Sequence, residues 1–132
     1  MLSRIALICI VAVLIAACAR PSPSGVQVDT QTVDGITVGL AAVASPTLNS
    51  SQELLITLTD PQGQPIDGAS VYLDLTMLAM PMGTNRPEAT PLGQGRYSTR
   101  TAYTMSGTWE ITVVVEFDGN EHRALFTRIV PE

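Results

Sequence analysis

The stretch TWEITVVVEF, residues 108–117, decides the fold. Successive side chains of a β-strand point to opposite faces. One face of this stretch would carry Trp109, Ile111, Val113 and Val115. We therefore predict a strand with one buried face, whose largest side chain, Trp109, lies in the core. The sequence Asp-Gly-Asn follows at 118–120, and it favours a tight hairpin that pairs this strand antiparallel with the next one.

Five further runs are rich in β-branched residues and are separated by Gly, Pro, Asn and Asp. They are residues 36–44, 53–59, 70–77, 96–103 and 122–130, with a short additional strand within 90–92. None of these runs shows a helical period with caps. Six or seven short strands at fairly regular spacing predict an all-β fold, an immunoglobulin-like β-sandwich.

Alternation along the other strands predicts the rest of the core. The inward positions are Leu54, Ile56, Leu58, Val71, Leu73, Leu75 and Met77. On the last strand Ala124, Phe126 and Val130 share a face that Arg128 interrupts, so the sequence leaves the pairing at that point open. Between the second and third strands, residues 60–69 have the Asp, Pro and Gly content of a turn, in which Asp60 can accept hydrogen bonds from backbone amides.

The first 17 residues have the pattern of a signal peptide. Arg4 supplies a positive charge, and residues 5–17 form a charge-free apolar run that is shorter than the roughly 20 residues of a spanning helix. The run ends in Ile-Ala-Ala-Cys18, the pattern of a bacterial lipobox. We predict that Cys18 carries lipid and that the protein is exported and anchored to the periplasmic or extracellular face of a bacterial membrane. The alternative is an ordinary signal peptide cut near Ala17 or Ala19.

Beyond the signal peptide the length allows one domain. Residues 18–34 contain the cysteine and a stretch rich in Pro, Ser and Gly, which predicts a flexible tether. Residues 35–132 would form the β-sandwich. From Cys18 onward six arginines stand against twelve acidic residues, a net charge of −6, and the chain has no lysine. This balance predicts no nucleic-acid partner and no electrostatic docking on anionic lipid, so membrane attachment would depend on acyl chains.

The residues predict no enzymatic activity. The sequence has no nucleophile with a nearby base, no pair of histidines and no glycine-rich phosphate loop. Its one cysteine outside the signal peptide allows no intrachain disulfide. Zinc and blue-copper sites of the ordinary type are also excluded, because they need more histidine and cysteine ligands than this chain offers.

Three motifs occur together in the folded part of the chain, and a family resemblance rests on them. They are Asp60-x-x-Gly63-x-Pro65-x-x-Gly68-Ala69-x-Val71, Met80-Pro81-Met82-Gly83, and Gly95-x-Tyr97 followed by Met105-x-Gly107-x-Trp109-x-Ile111-x-Val113. In this order and spacing the chain resembles the YtkA-like domain family over residues 35–130. That family consists of small exported or membrane-anchored bacterial domains with an immunoglobulin-like sandwich, similar to the FixH-type domain. The resemblance implies copper handling and cytochrome oxidase assembly.

The methionines beside Pro81 are the candidate metal ligands. Thioethers are soft, neutral ligands that select Cu(I) over hard cations and over Zn(II). Met80 and Met82 lie on a loop that proline stiffens, and Met105 lies in the connection before the Trp109 strand. If these two connections meet at one end of the sandwich, three sulfur atoms could converge on Cu(I). The alternative is that the three methionines fill the end of the core or form a dry contact patch. His122, the only histidine, is a further candidate ligand, although a lone histidine at a strand edge is usually only solvated.

Two functions are therefore predicted from different classes. The first is a membrane-anchored lipoprotein that binds Cu(I) and delivers it to a receiving protein such as an oxidase subunit. The second is a structural or protein-interaction module on a lipid anchor, without metal.

Overall fold

The computed structural model describes residues 25–81 and 85–132, so Cys18 and Met82 lie outside the described residues. The eight strands are β1 (Val26–Val33), β2 (Ile36–Val43), β3 (Gln52–Thr59), β4 (Ser70–Met77), β5 (Thr90–Gly93), β6 (Arg96–Thr101), β7 (Gly107–Phe117) and β8 (Asn120–Val130). They form a five-stranded sheet in the order β1-β2-β3-β6-β5 and a three-stranded sheet in the order β4-β7-β8. All neighbouring pairs are antiparallel. The predicted all-β sandwich is thereby confirmed.

The core lies between the two sheets, and the alternation of β7 organises it. The predicted inward residues are all part of it: ten are buried, and Met77 is partly buried and packs against them. Trp109 is 9% exposed. The five-stranded sheet contributes further inward side chains that the sequence prediction did not include, among them Val38, Leu40 and Tyr97. Over the described ranges no helix is present, and none is therefore long and apolar enough to cross a bilayer.

Both predicted turns are present. Asp118 and Gly119 have φ angles of 53° and 75°, so the hairpin bends through two residues with positive φ and pairs Phe117 with Asn120. In the connection from β3 to β4, the Asp60 carboxylate accepts hydrogen bonds from the amides of Gln62 and Gln64 at 2.9 and 2.8 Å. These turns fix the register of the strands that they join.

The first strand corrects the predicted tether. Residues 26–33 were predicted to belong to a flexible stretch, but they form β1 and pair with β2 along its whole length. The composition does not reveal this strand because its side chains are nearly all exposed. Its stability comes from the backbone ladder to β2 and from polar contacts, neither of which leaves an apolar periodicity in the sequence.

Three side-chain contacts place β1 antiparallel beside β8 and so tie the two sheets together. Asp34 Oδ2 lies 3.0 Å from the Nδ1 atom of His122. The Gln31 amide both donates to the backbone carbonyl of Leu125 and accepts from its N–H. Asp29 pairs with Arg128. As the residue number rises from Asp29 to Asp34, the number of the contacted residue falls from Arg128 to His122. The start of β1 therefore lies beside the end of β8.

One end of the sandwich, the methionine pole, contains Met77 at the end of β4, Thr101 at the end of β6 and Gly107 at the start of β7. Residues 102–106 join these last two strands there. The far pole contains the turn at Asp34 and the hairpin at Asp118.

Candidate functional site

The loop with Met80 leaves β4 directly beside the start of β7. Met77, the last residue of β4, is opposite Trp109 in the ladder. One residue further on, the Leu78 N–H donates to the carbonyl of Thr108 at 3.1 Å. This bond continues the ladder one residue past the end of β4 and places Leu78 beside the start of β7. Met80 then projects at the surface, where it is 47% exposed.

Met105 reaches the same pole from the opposite direction. It lies half-buried in the connection 102–106, and its carbonyl accepts a 3.0 Å hydrogen bond from the indole N–H of Trp109. Tyr103, in the same connection, meets the Trp109 ring edge-to-face with ring centroids 5.4 Å apart. The connection is fixed at a third point, because the Tyr103 carbonyl accepts from the Asn49 N–H at 2.8 Å. Met105 is therefore held in place through its neighbours and its own backbone.

Met77 belongs to the core, as the alternation predicts. It points inward from β4 and packs against the buried cluster. Its terminal methyl group lies so close to Gly107 that a Cβ atom at that glycine would be 2.8 Å from it. Gly107 also has φ = 130°, a conformation that side chains of L-residues rarely adopt. Glycine at this position thus allows both the backbone conformation with which β7 begins and the close approach of the Met77 thioether.

The structure brings the Met80 loop and Met105 to the same pole, and it leaves His122 elsewhere. His122 lies opposite Val115 on β7, six residues beyond Trp109, which is roughly 20 Å of strand. There it contacts Asp34 at the far pole. The third predicted ligand, Met82, lies outside the described residues. Within the ranges 25–81 and 85–132, no three side chains of His, Cys, Asp or Glu are grouped so as to hold a metal ion.

A buried arginine lies next to this site, and the sequence prediction missed its role. Met77, Trp109 and Arg128 form one row across the inner face of the three-stranded sheet. The Arg128 side chain is 1% exposed and pairs with Asp29 through Nη1. Its Nε and Nη2 atoms have no hydrogen-bond partner among the described residues. A charged residue at an inward position of an otherwise apolar face was the visible signal.

The electrostatic effect of Arg128 extends to the aromatic pair. Burial raises the pKa of the Tyr103 phenol, and the positive charge of Arg128 opposes that rise. The phenol is consequently neutral at physiological pH. The end of the core under Met105 therefore contains two aromatic rings, one buried cation and the Met77 thioether, while the exposed thioether of Met80 lies outside it.

The family model described as YtkA-like matches residues 30–114, which are 85 of the 132 residues. The match begins within β1, includes the Met80 loop, Met105 and Trp109, and ends within β7. No curated protein matches the chain.

Proposed function

Because the chain belongs to the YtkA-like family, we propose that it is an exported, lipid-anchored bacterial protein that binds Cu(I) through Met80, Met82 and Met105. It acts by holding and delivering the ion, without catalysis. Three thioethers give a soft and neutral ligand set that prefers Cu(I) to Zn(II). Methionine also suits an exported protein, because thiolate ligands in an oxidising compartment are lost to disulfides. The receiving protein, such as an oxidase subunit, would need soft ligands of its own.

One observation supports this proposal above the others. The hydrogen bond from Leu78 to Thr108 keeps the Met80 loop beside the strand that Met105 precedes. Met105 is in turn fixed by its bond to Trp109. Two segments that are 25 residues apart in sequence therefore meet at one pole. Met82 follows Met80 by two residues, at most about 7 Å of extended chain, which flexible thioethers can bridge.

The first test is a Cu(I) competition titration with a chromophoric chelator. We expect the double substitution Met80→Ile and Met82→Ile to abolish Cu(I) binding, because it removes two of the three sulfur ligands and keeps their apolar bulk. Thermal stability should stay nearly unchanged, since Met80 is 47% exposed. Met77→Leu is the matched control: it removes a thioether from the same pole but from inside the core, and it should keep Cu(I) binding. Equal Cu(I) affinities of the wild type and the double variant would refute the metal site.

The alternative function is a protein-interaction module without metal. The exposed apolar side chains of Leu78 and Met80, two residues apart on one loop, favour it. In that case the wild-type protein would show no Cu(I) affinity above that of the double isoleucine variant. The same titration therefore separates the two functions.

The proposed anchor is tested separately. We expect Cys18→Ser to accumulate as an unprocessed or unacylated form, because Cys18 is the residue that carries the lipid and begins the mature chain. Intact-mass measurement of the membrane fraction gives the result directly. A wild-type mature protein without acyl mass would contradict the proposal, and cleavage near Ala17 or Ala19 would then identify an ordinary signal peptide.

A further inference from the structure

We propose that the methionine pole is the membrane-facing end of this protein and that its exposed apolar side chains rest on the bilayer that holds the acyl chains of Cys18. The inference depends on the proposed lipid anchor. It goes beyond the proposed metal binding because it fixes where the metal is exchanged: at the surface of the lipid rather than in open solvent.

The position of β1 is the first argument. Val26, its first residue, is opposite Val43 at the end of β2, and the carbonyl of Gly25 accepts a 2.7 Å hydrogen bond from Ala44. The chain therefore enters the domain at the methionine pole. Gly25 follows Cys18 by seven residue steps, and a fully extended chain of that length spans at most about 25 Å. The lipid anchor thus keeps this pole within about 25 Å of the bilayer, near enough for its surface to make contact.

The distribution of apolar surface is the second argument. Among the described residues, eight large hydrophobic side chains are exposed. Five of them lie at the methionine pole: Val26, Val43, Leu78, Met80 and Ile129. Val28 lies two residues into β1 from the same end. Val26 and Val43 also line a shallow groove on the five-stranded sheet, together with Ala41, Ala42 and Leu55 and one charged residue, Glu53. The apolar surface is therefore concentrated at the end to which the anchor leads.

The distribution of acidic residues is the third argument. Six of the twelve acidic side chains lie in or beside the turns of the far pole: Asp34, Asp60, Asp67, Glu116, Asp118 and Glu121. The surface of a bacterial membrane that contains anionic lipid repels such a group. Arg96 and Arg123 also lie at the far pole, and Glu53 lies opposite Arg100 at the methionine pole, so the far pole keeps the larger negative charge. Charge therefore favours the orientation with the far pole away from the bilayer, while apolar contact draws the methionine pole toward it.

The anchor makes this contact intramolecular. Once the acyl chains are inserted, the pole is confined near the surface at a high effective concentration, so a weak apolar contact is enough to orient the domain. A protein that exchanges Cu(I) with this pole must then present its own soft ligands at the lipid–water interface. An integral membrane protein meets that requirement.

The experiment uses the full-length acylated protein in vesicles of phosphatidylethanolamine and phosphatidylglycerol that contain a headgroup-labelled acceptor lipid. A single cysteine carrying a donor dye is introduced either by Thr104→Cys at the methionine pole or by Gln62→Cys at the far pole, both exposed polar positions. The two poles are separated by the length of the strands, about 26 Å for eight residues. With a donor–acceptor pair of short transfer range, energy transfer to the lipid should be clearly stronger from position 104 than from position 62.

The apolar contact is tested by a double variant at the methionine pole and a control variant at the far pole. Val26→Ser with Leu78→Ser removes exposed side chains at the methionine pole and should abolish most of the difference between the two labels. Leu92→Ser removes a side chain of similar exposure, 48% against 55% for Leu78, at the far pole, and it should leave the difference unchanged.

Each other outcome overturns the inference in an identifiable way. Equal transfer from both labels of the acylated protein overturns it and leaves the anchor and the metal site intact. Equal transfer in vesicles, combined with a difference in native membrane fragments, overturns the bilayer as the contact and indicates a membrane protein instead. A difference that survives Val26→Ser with Leu78→Ser overturns the role of the apolar pole. Absence of acyl mass overturns the inference and the anchor together, whereas Cu(I) titration of the unanchored protein tests the metal site independently.

Discussion

Trp109→Ala is expected to cost about 3–5 kcal/mol of folding free energy, the range for deleting a large aromatic side chain from a core. The substitution removes the edge-to-face contact with Tyr103 and the hydrogen bond to the Met105 carbonyl. It also opens a cavity in the row between Met77 and Arg128. A domain of this size has a total stability of about 5–15 kcal/mol, so the variant should be close to unfolding at 37 °C.

Urea denaturation followed by circular dichroism measures this loss. Trp109→Phe is the informative companion, because it keeps an aromatic ring against Tyr103 but lacks the indole N–H that binds Met105. It should lose clearly less stability than the alanine variant. A loss below about 0.5 kcal/mol in Trp109→Ala, the level of an ordinary surface substitution, would show that Trp109 does not organise this core.

The predicted strands agree with the structure wherever one face of the strand is buried. In β3, β4 and β7 the apolar alternation is set by burial, so the pattern and the fold have the same cause. β1 has almost no buried face and is held by the ladder to β2 and by Gln31, Asp29 and Asp34. Such contacts depend on which strand lies next to it in space, and one sequence alone does not specify that neighbour.

The positions of the candidate ligands could be predicted only in part, because they also depend on which strands are neighbours in space. The turn at Asp118 fixes the register of β8, so it already places His122 opposite Val115 and far from the start of β7. That Met80 and Met105 share a pole follows only from the pairing of β4 with β7. These two strands are separated by two others in sequence, and their pairing across that interval is decided by the packing of the whole sandwich. The inward direction of Arg128 was visible in the alternation, whereas its partner Asp29 lies on the strand that was missed.

Asp29 and Arg128 carry the second large effect, and the two single substitutions should change stability in opposite directions. Asp29→Ala leaves a guanidinium that is 1% exposed without its counter-charge, and breaking a buried pair in this way costs roughly 3–5 kcal/mol. The loss should fall toward the lower end of that range, because the Asp29 side chain is 39% exposed and water can enter the vacated position.

Arg128→Leu should instead be neutral or stabilise the fold. It replaces a desolvated cation by an apolar side chain in a row that already contains Trp109, and it leaves Asp29 where water can solvate it. Replacements of buried ionic groups by apolar ones are often neutral or gain about 1–4 kcal/mol. The double variant should then resemble Arg128→Leu, because Asp29 has no buried charge left to compensate. Urea denaturation of the three variants tests this. Equal destabilisation by both single substitutions would mean that the ion pair contributes net stability to the fold. The bond from Arg128 to Asp29 on β1 would then outweigh the free-energy cost of burying the guanidinium.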